Sequence, residues 1–149
     1  MRRSEKEITD RAEIDAVIRS CKACRLGLSD DGQPYIVPLS FGYDGEALYF
    51  HSATEGRKLD ILRKNNRVCV EFDVLEGLEK AREACAWGIR YRSVIGEGSA
   101  TILEDLEEKK KAFAILMAQY SDKDYSFPDE TVARTAVVKI TFDSLTGKQ

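Results

Sequence analysis

The sequence has very little of what most catalytic and metal-binding chains display. Histidine occurs once, at position 51, tryptophan once, at 87, and proline three times in 149 residues. No Ser-His-Asp or zinc constellation can be assembled around that one imidazole. Four cysteines stand at 21, 24, 69 and 85. Cys21 and Cys24 spell C-x-x-C, but a zinc site needs two more ligands with comparable local spacing, and Cys69 and Cys85 stand alone. A redox pair should open a helix after a strand, where the helix N-terminus lowers the thiol pKa. This pair closes a helix, so buried structural thiols and no metal are expected. There is also no basic excess: the net charge of −3 argues against a partner that is nucleic acid. No apolar run approaches the ~20 residues that span a bilayer, so no membrane partner is expected. The opening MRRSEKEITD has two arginines without the apolar segment of a secretory signal, which makes a cytoplasmic location the expectation.

What remains is globular composition, 43% hydrophobic and 33% charged. At this length one domain is expected over residues 1–149, with no repeat, low-complexity segment or linker to divide it. Residues 9–22 read as a helix, with Thr9 or Asp10 as cap and Ile14, Val17, Ile18 and Cys21 at helical spacing. Asp30-Asp31-Gly32 and Asp44-Gly45 then punctuate β-rich runs, which predicts hairpin-linked strands at 24–29, 34–43 and 46–51. Pro38 removes one ladder donor, so its strand is expected at an edge, at a bulge, or against something other than a neighbouring strand. A short helix behind Thr54 is expected to bury Leu59 and Leu62. RVCVEFDV alternates as a fourth strand, residues 75–85 are ambiguous between loop and helical turn, and 86–103 read as a long strand bent at Gly96 and Gly98. Residues 104–120 give the clearest helix, with Phe113, Leu116, Met117 and Tyr120 as its core face, and 135–142 the last strand. The class is therefore mainly β: a six-stranded antiparallel barrel, closed or partly closed, with peripheral helices.

The chemistry-bearing stretch is HSATEGRKLDIL, residues 51–62. It places His51, Ser52, Arg57 and Lys58 where a strand ends and a helix begins. The free amides and dipole of such an end make an anion site. Arg57 offers a planar fork and Lys58 a point charge. An Arg-Lys pair in a helix's first turn is usually a solvated face, yet it opposes the macrodipole at a small cost that an acidic ligand offsets. Neither the G-x-x-x-x-G-K-[ST] loop of nucleoside triphosphate sites nor the G-x-G-x-x-G of dinucleotide folds is present, which points to a single phosphate monoester.

The stretch YIVPLSFGYDGEALYFHSATEGRKLDILRKNNRVCVEFD, together with YRSVIGEGSATIL and KITFDSLTGK, resembles the pyridoxamine 5'-phosphate oxidase-like split-barrel family over nearly the whole chain. The resemblance is to its nitroimidazole-resistance-like branch. It implies a split barrel and a homodimer with FMN at the subunit interface. By that resemblance His51 and Ser52 line the ribityl-phosphate, Arg57 and Lys58 hold the phosphate, and Val37, Pro38, Leu39 and Ser40 run beside the isoalloxazine ring. Trp87, Tyr91, Arg92 and Ser93 become the partner subunit's share of the pocket. The implied activity is reduction of a small aromatic or nitro substrate with NAD(P)H electrons, the cofactor rather than a protein nucleophile carrying the chemistry. F420 and haem stand beside FMN as cofactors, and a flavin- or haem-binding module with little turnover, or a ligand-free dimeric interaction domain, stands beside the enzyme. The chain ends DSLTGKQ, without the tryptophan- and arginine-rich substrate segment of the pyridoxal-making oxidases, so vitamin B6 oxidation is not expected.

Overall fold

A computed structural model describes residues 4–149. Among them, alternating apolar residues and tight turns build eight antiparallel strands, six of them full-length and two of only two residues. In chain order these are β1 (Glu7–Ile8), α1 (Arg11–Ser20), β2 (Cys24–Asp30), β3 (Gln33–Leu39), β4 (Gly42–Tyr43), β5 (Ala47–Ser52), α2 (Arg57–Lys64), β6 (Arg67–Glu79), β7 (Gly88–Leu103), α3 (Leu106–Ala118), α4 (Asp129–Ala133) and β8 (Ala136–Lys148). The expected six strands are thus present, with two short additions. The strand expected at 34–43 breaks into β3 and β4 around Ser40-Phe41.

That break explains the shape of the sheet. Its strand order is β3-β2-β6-β7-β8-β5-β4, with β1 paired to β8. The two edge strands, β3 and β4, are consecutive in the chain and only two residues apart, so the sheet must curl until its edges meet. The product is a barrel split along one seam. Pro38 lies on the edge strand β3, where its missing N–H leaves no gap in a ladder.

Local chemistry sets the remaining boundaries. Asp10 caps α1 by accepting from the Ala12 N–H at 3.0 Å, and Asp105 caps α3 from the Glu108 N–H. Asp31 and Gly32 take positive φ values of 50° and 87°, the primed turn that joins β2 to β3. The ambiguous 75–85 segment divides: β6 runs on to Glu79, with a register shift between Leu75 and Gly77, and a 3-10 turn at Ala84–Ala86 closes the approach to β7. The last strand continues six residues beyond 142 because both β7 and β1 pair with it.

Phe41, Phe50 and Phe72 are fully buried, with Phe41 edge-on to Phe72 at 5.2 Å. Burying each large side chain contributes roughly 1.5–3 kcal/mol. A smaller cluster, Ala47, Tyr49, Ala112, Leu116 and Val137, seats α3 on the outside of β5. There Gly42 admits the helix: a Cβ on it would stand 2.6 Å from the Ile115 carbonyl. Of the expected core face of α3, Leu116 is buried, Phe113 and Met117 are half-buried and Tyr120 is exposed; Tyr120 instead accepts from the Phe41 N–H at 2.9 Å. Cys21 and Cys24 are buried and free, whereas Cys69 and Cys85 are exposed.

Candidate functional site

The split seam and the start of α2 come together at Tyr35. Alternation along β3 turns Tyr35, Val37 and Leu39 toward the core, and they pack against it half-buried. Pro34, Ile36 and Pro38 face outward. The Arg57 guanidinium lies over the Tyr35 ring, 4.4 Å from its centroid, so a residue 22 positions away holds the first side chain of α2 flat against the barrel edge.

The helix begins later than Thr54. Its N-cap is Gly56, at φ 131° and with no side-chain cap, so the first amides of α2 keep no intramolecular side-chain acceptor. Only glycine adopts that φ without strain. Leu59, Ile61 and Leu62 bury the inner face. Asn65 Nδ2 donates to the Ser29 carbonyl at 3.3 Å, tying the far end of α2 to β2.

Lys58 differs from every other cation of this helix. Arg63 bonds Asp60 at 3.1 Å, and Arg57 and Lys64 each approach Asp30 at 3.9 Å. Among the described residues no carboxylate lies within 4 Å of Lys58. Its ammonium sits 5.3 Å from the centroid of the buried Phe50 ring, and burial lowers its pKa from the ordinary lysine value. A half-desolvated cation without a counter-ion is a place for an anion.

His51 and Ser52 are neighbours in β5, so they point to opposite faces. Ser52 shares its face with Leu48 and Phe50, the side on which Lys58 lies, and its hydroxyl donates to the Ala53 carbonyl at 2.8 Å. His51 follows Ala47 and Tyr49 onto the α3 side, where its ring lies 5.7 Å from Phe113. Ser40 is exposed in the seam.

Trp87, Tyr91, Arg92 and Ser93 occupy the far hairpin of β6 and β7 or its approach. Trp87 donates to the Ala81 carbonyl, Arg92 pairs with Glu76 at 2.7 Å, and Lys148 lies over Tyr91. None of these partners belongs to the Arg57 cluster. Tyr91 and Ser93 lie instead on the outer face of the sheet. The shift between Leu75 and Gly77 keeps Leu75 opposite Tyr91 and Leu78 opposite Ile89, so that face carries a row of bare apolar side chains: Ile36 is 67% exposed and Leu75 68%. A groove of about 430 Å³ runs between Ile36, Pro34 and Cys69, with Gly27 in its lining, and Arg25, Glu71 and Glu97 edge it.

Tyr35, Asp30 and Phe50 are the members of this cluster that sequence reading missed. Alternation assigns Tyr35 to the face of Val37 and Leu39, but nothing local announces its meeting with Arg57. Among the described residues, no group of three metal-ligating side chains is present and no helix is long and apolar enough to cross a membrane.

Comparison with known proteins follows the same lines. A family model described as pyridoxamine 5'-phosphate oxidase matches residues 10–149. A crystal structure of a protein from Bacteroides thetaiotaomicron, provisionally named a 5-nitroimidazole antibiotic resistance protein, superposes with a TM-score of 0.86 at 36% identity, over 95% of this chain and 85% of that one. A FAD-binding protein from Mesorhizobium loti superposes at 0.69 with 25% identity, covering 95% of each chain. The FAD and heme binding protein from Mycobacterium smegmatis shares the fold, with a TM-score of 0.88 at 22% identity, over 96% of this chain and 72% of that one. An uncharacterized protein from Rhizobium meliloti is 34% identical over 65 residues, which is 44% of this chain and 42% of that curated relative's length.

Proposed function

This chain belongs to the pyridoxamine 5'-phosphate oxidase family, and from that premise we propose that it is an FMN-dependent oxidoreductase acting on a small aromatic or nitro-bearing substrate with NAD(P)H electrons. The observation that carries the reading is Lys58, a half-buried ammonium with no carboxylate within 4 Å among the described residues, standing at the open start of α2 beside the Arg57 fork. Those groups suit a phosphate monoester: Lys58 supplies a partly desolvated point charge, Arg57 two parallel donors, and the first amides of α2 a positive dipole end.

Two charge-assisted contacts contribute at most about 3 kcal/mol each, while nanomolar affinity requires about 12 kcal/mol. The rest must come from burying the ring. Within one chain Val37 and Leu39 turn toward the core and Pro38 and Ser40 away from it, so the seam supplies only part of the ring's wall. The exposed face with Ile36, Leu75, Leu78, Ile89 and Ile95 is the reason to assign the second wall to another copy of this chain. Arg25 and Asp73 pair on that face beside Glu71, giving it charges of both signs for a self-complementary contact. In that arrangement Tyr91, Ser93 and Trp87 reach the ring from the partner.

When bound, FMN supplies two-electron transfer between the nicotinamide and the acceptor. The chain's own residues anchor the phosphate, orient the ring along the seam and exclude water from one face. The test is anaerobic: the FMN-reconstituted protein is mixed with NADH or NADPH, its visible flavin band is followed, and a nitroaromatic acceptor is then added. Bleaching by a nicotinamide and recovery on adding the acceptor support an oxidoreductase. A band that no nicotinamide bleaches leaves a flavin-binding module, and a Soret band in the purified protein moves the reading to haem.

A further inference from the structure

The bridge that closes the barrel is held from outside it. Ser40 and Phe41 are the two residues between the edge strands β3 and β4, and neither belongs to a ladder. The Phe41 side chain is fully buried against Phe72, so its amide cannot turn freely toward water. That amide donates instead to the Tyr120 hydroxyl at 2.9 Å, 79 residues away. The same hydroxyl donates to the Lys22 carbonyl at 2.9 Å, so its proton and one of its lone pairs are committed to two separate segments.

What carries Tyr120 is itself fixed. The backbone of α3 lies against the end of the bridge, the Ile115 carbonyl standing 2.6 Å from where a Cβ on Gly42 would be. One residue before Tyr120, Gln119 donates through Nε2 to the Arg19 and Cys21 carbonyls at 3.1 and 3.0 Å, and Lys22 Nζ donates to the Gln119 carbonyl at 3.3 Å. The hydroxyl is therefore a fixed point, and the bridge hangs on it. Exposed Ser40 directly follows Val37, Pro38 and Leu39, so a bridge free to shift would carry the end of that stretch with it.

We propose that Tyr120 is a positioning residue for the flavin ring: its hydroxyl holds the Phe41 amide and thereby sets the Val37–Ser40 wall in place before the ring arrives. The inference rests on the reading of that stretch as part of the ring's wall and deepens it. Tyr120 acts through Phe41 and not on the flavin itself. A wall already ordered does not have to be ordered on binding, and the hydroxyl contributes that difference to affinity.

The test compares Tyr120→Phe, which deletes only the hydroxyl, with Gln119→Leu, which deletes the neighbouring contacts to α1 and leaves the Phe41 amide bonded. The full-length proteins are titrated with riboflavin and with FMN, and their melting temperatures are measured. Tyr120→Phe is expected to weaken both flavins by the same factor, roughly two- to tenfold, the range for ordering one segment on binding. Gln119→Leu is expected to lower the melting temperature and leave both affinities unchanged. A Tyr120→Phe protein that melts earlier but binds both flavins as the wild type does, or two variants that weaken flavin equally, overturns the proposal and leaves Tyr120 a brace of the fold. A loss confined to FMN overturns it as well, by placing the effect at the phosphate. Amide hydrogen exchange of the wild type gives a readout independent of any variant: the Phe41 amide is expected to be protected before flavin is added, and protection that appears only with flavin overturns the proposal. A wild type that binds neither flavin fails the flavin reading and the proposal with it, whereas a wild type that binds both beside an unchanged Tyr120→Phe overturns the proposal alone.

Discussion

Replacing Lys58 by methionine isolates one charge. The methionine keeps an unbranched stem against Phe50 and removes only the ammonium, so the fold and the ring pocket are preserved. Lys58 is half-buried and has no carboxylate within 4 Å among the described residues, which places its contact with a phosphate at the upper part of the charge-assisted range, about 1.5–3 kcal/mol. At about 1.4 kcal/mol per decade, that is a loss of roughly 10- to 150-fold in FMN affinity. Arg57 has a more solvated side chain, 54% exposed, and already faces Asp30. Arg57→Ala should therefore cost less, about 1 kcal/mol or roughly fivefold, and its contribution should shrink further as salt rises. The assay is quenching of flavin fluorescence on titration with protein, run in parallel with FMN and riboflavin. Only FMN should lose affinity. Equal losses for riboflavin, or a larger cost at Arg57 than at Lys58, would refute the assignment of Lys58 as the principal phosphate contact.

Two further outcomes follow from the same geometry. FMN affinity should fall on the alkaline side earlier than an ordinary lysine titrates, because burial lowers the Lys58 pKa and the neutral amine no longer attracts the phosphate. The unliganded protein gains stability from Lys58 over that same range, since the ammonium it disfavours is lost. Affinity rather than melting is the readout, because burial pushes the Tyr43 and Tyr49 hydroxyls up to about 12 and makes their ionisation costly above pH 10. In thiol labelling, Cys85 should react readily, while Cys21 and Cys24 stay silent until unfolding, their thiols raised by burial, Cys24 to about 12. Cys69, in the outer groove, should lose reactivity with rising protein concentration as that face is covered by a second copy. A Cys69 rate independent of concentration, in a protein that sediments as a monomer, counts against the dimer.

Much of the scaffold was legible because its signals are local. Asp31-Gly32 needs positive φ, Asp10 and Asp105 cap helices, and alternation marks Val68, Val70 and Phe72 as one face of β6. Arg57 and Lys58 could be placed at a helix start for the same reason. The β6–β7 hairpin beyond Leu75 was obscured by its register shift, which lets Leu75 and Leu78 share a face three residues apart and breaks the period of two. Strict alternation would have separated His51 from Ser52. The meeting of Arg57 with Tyr35 and Asp30 was out of reach, since it depends on the sheet curling until its edge passes beside α2. Pro38 lies between these cases: its missing donor announced an edge, while only the strand order identified which edge.

A phosphorylated flavin held in this seam would be seen in the visible absorption spectrum of the purified protein after incubation with FMN and desalting, beside that of the Arg57→Ala, Lys58→Ala double variant. Flavin bands should be retained by the wild type and lost from the variant, with both proteins folded by circular dichroism. A wild-type protein that emerges colourless, or a double variant that retains as much flavin, would contradict a phosphorylated flavin held there.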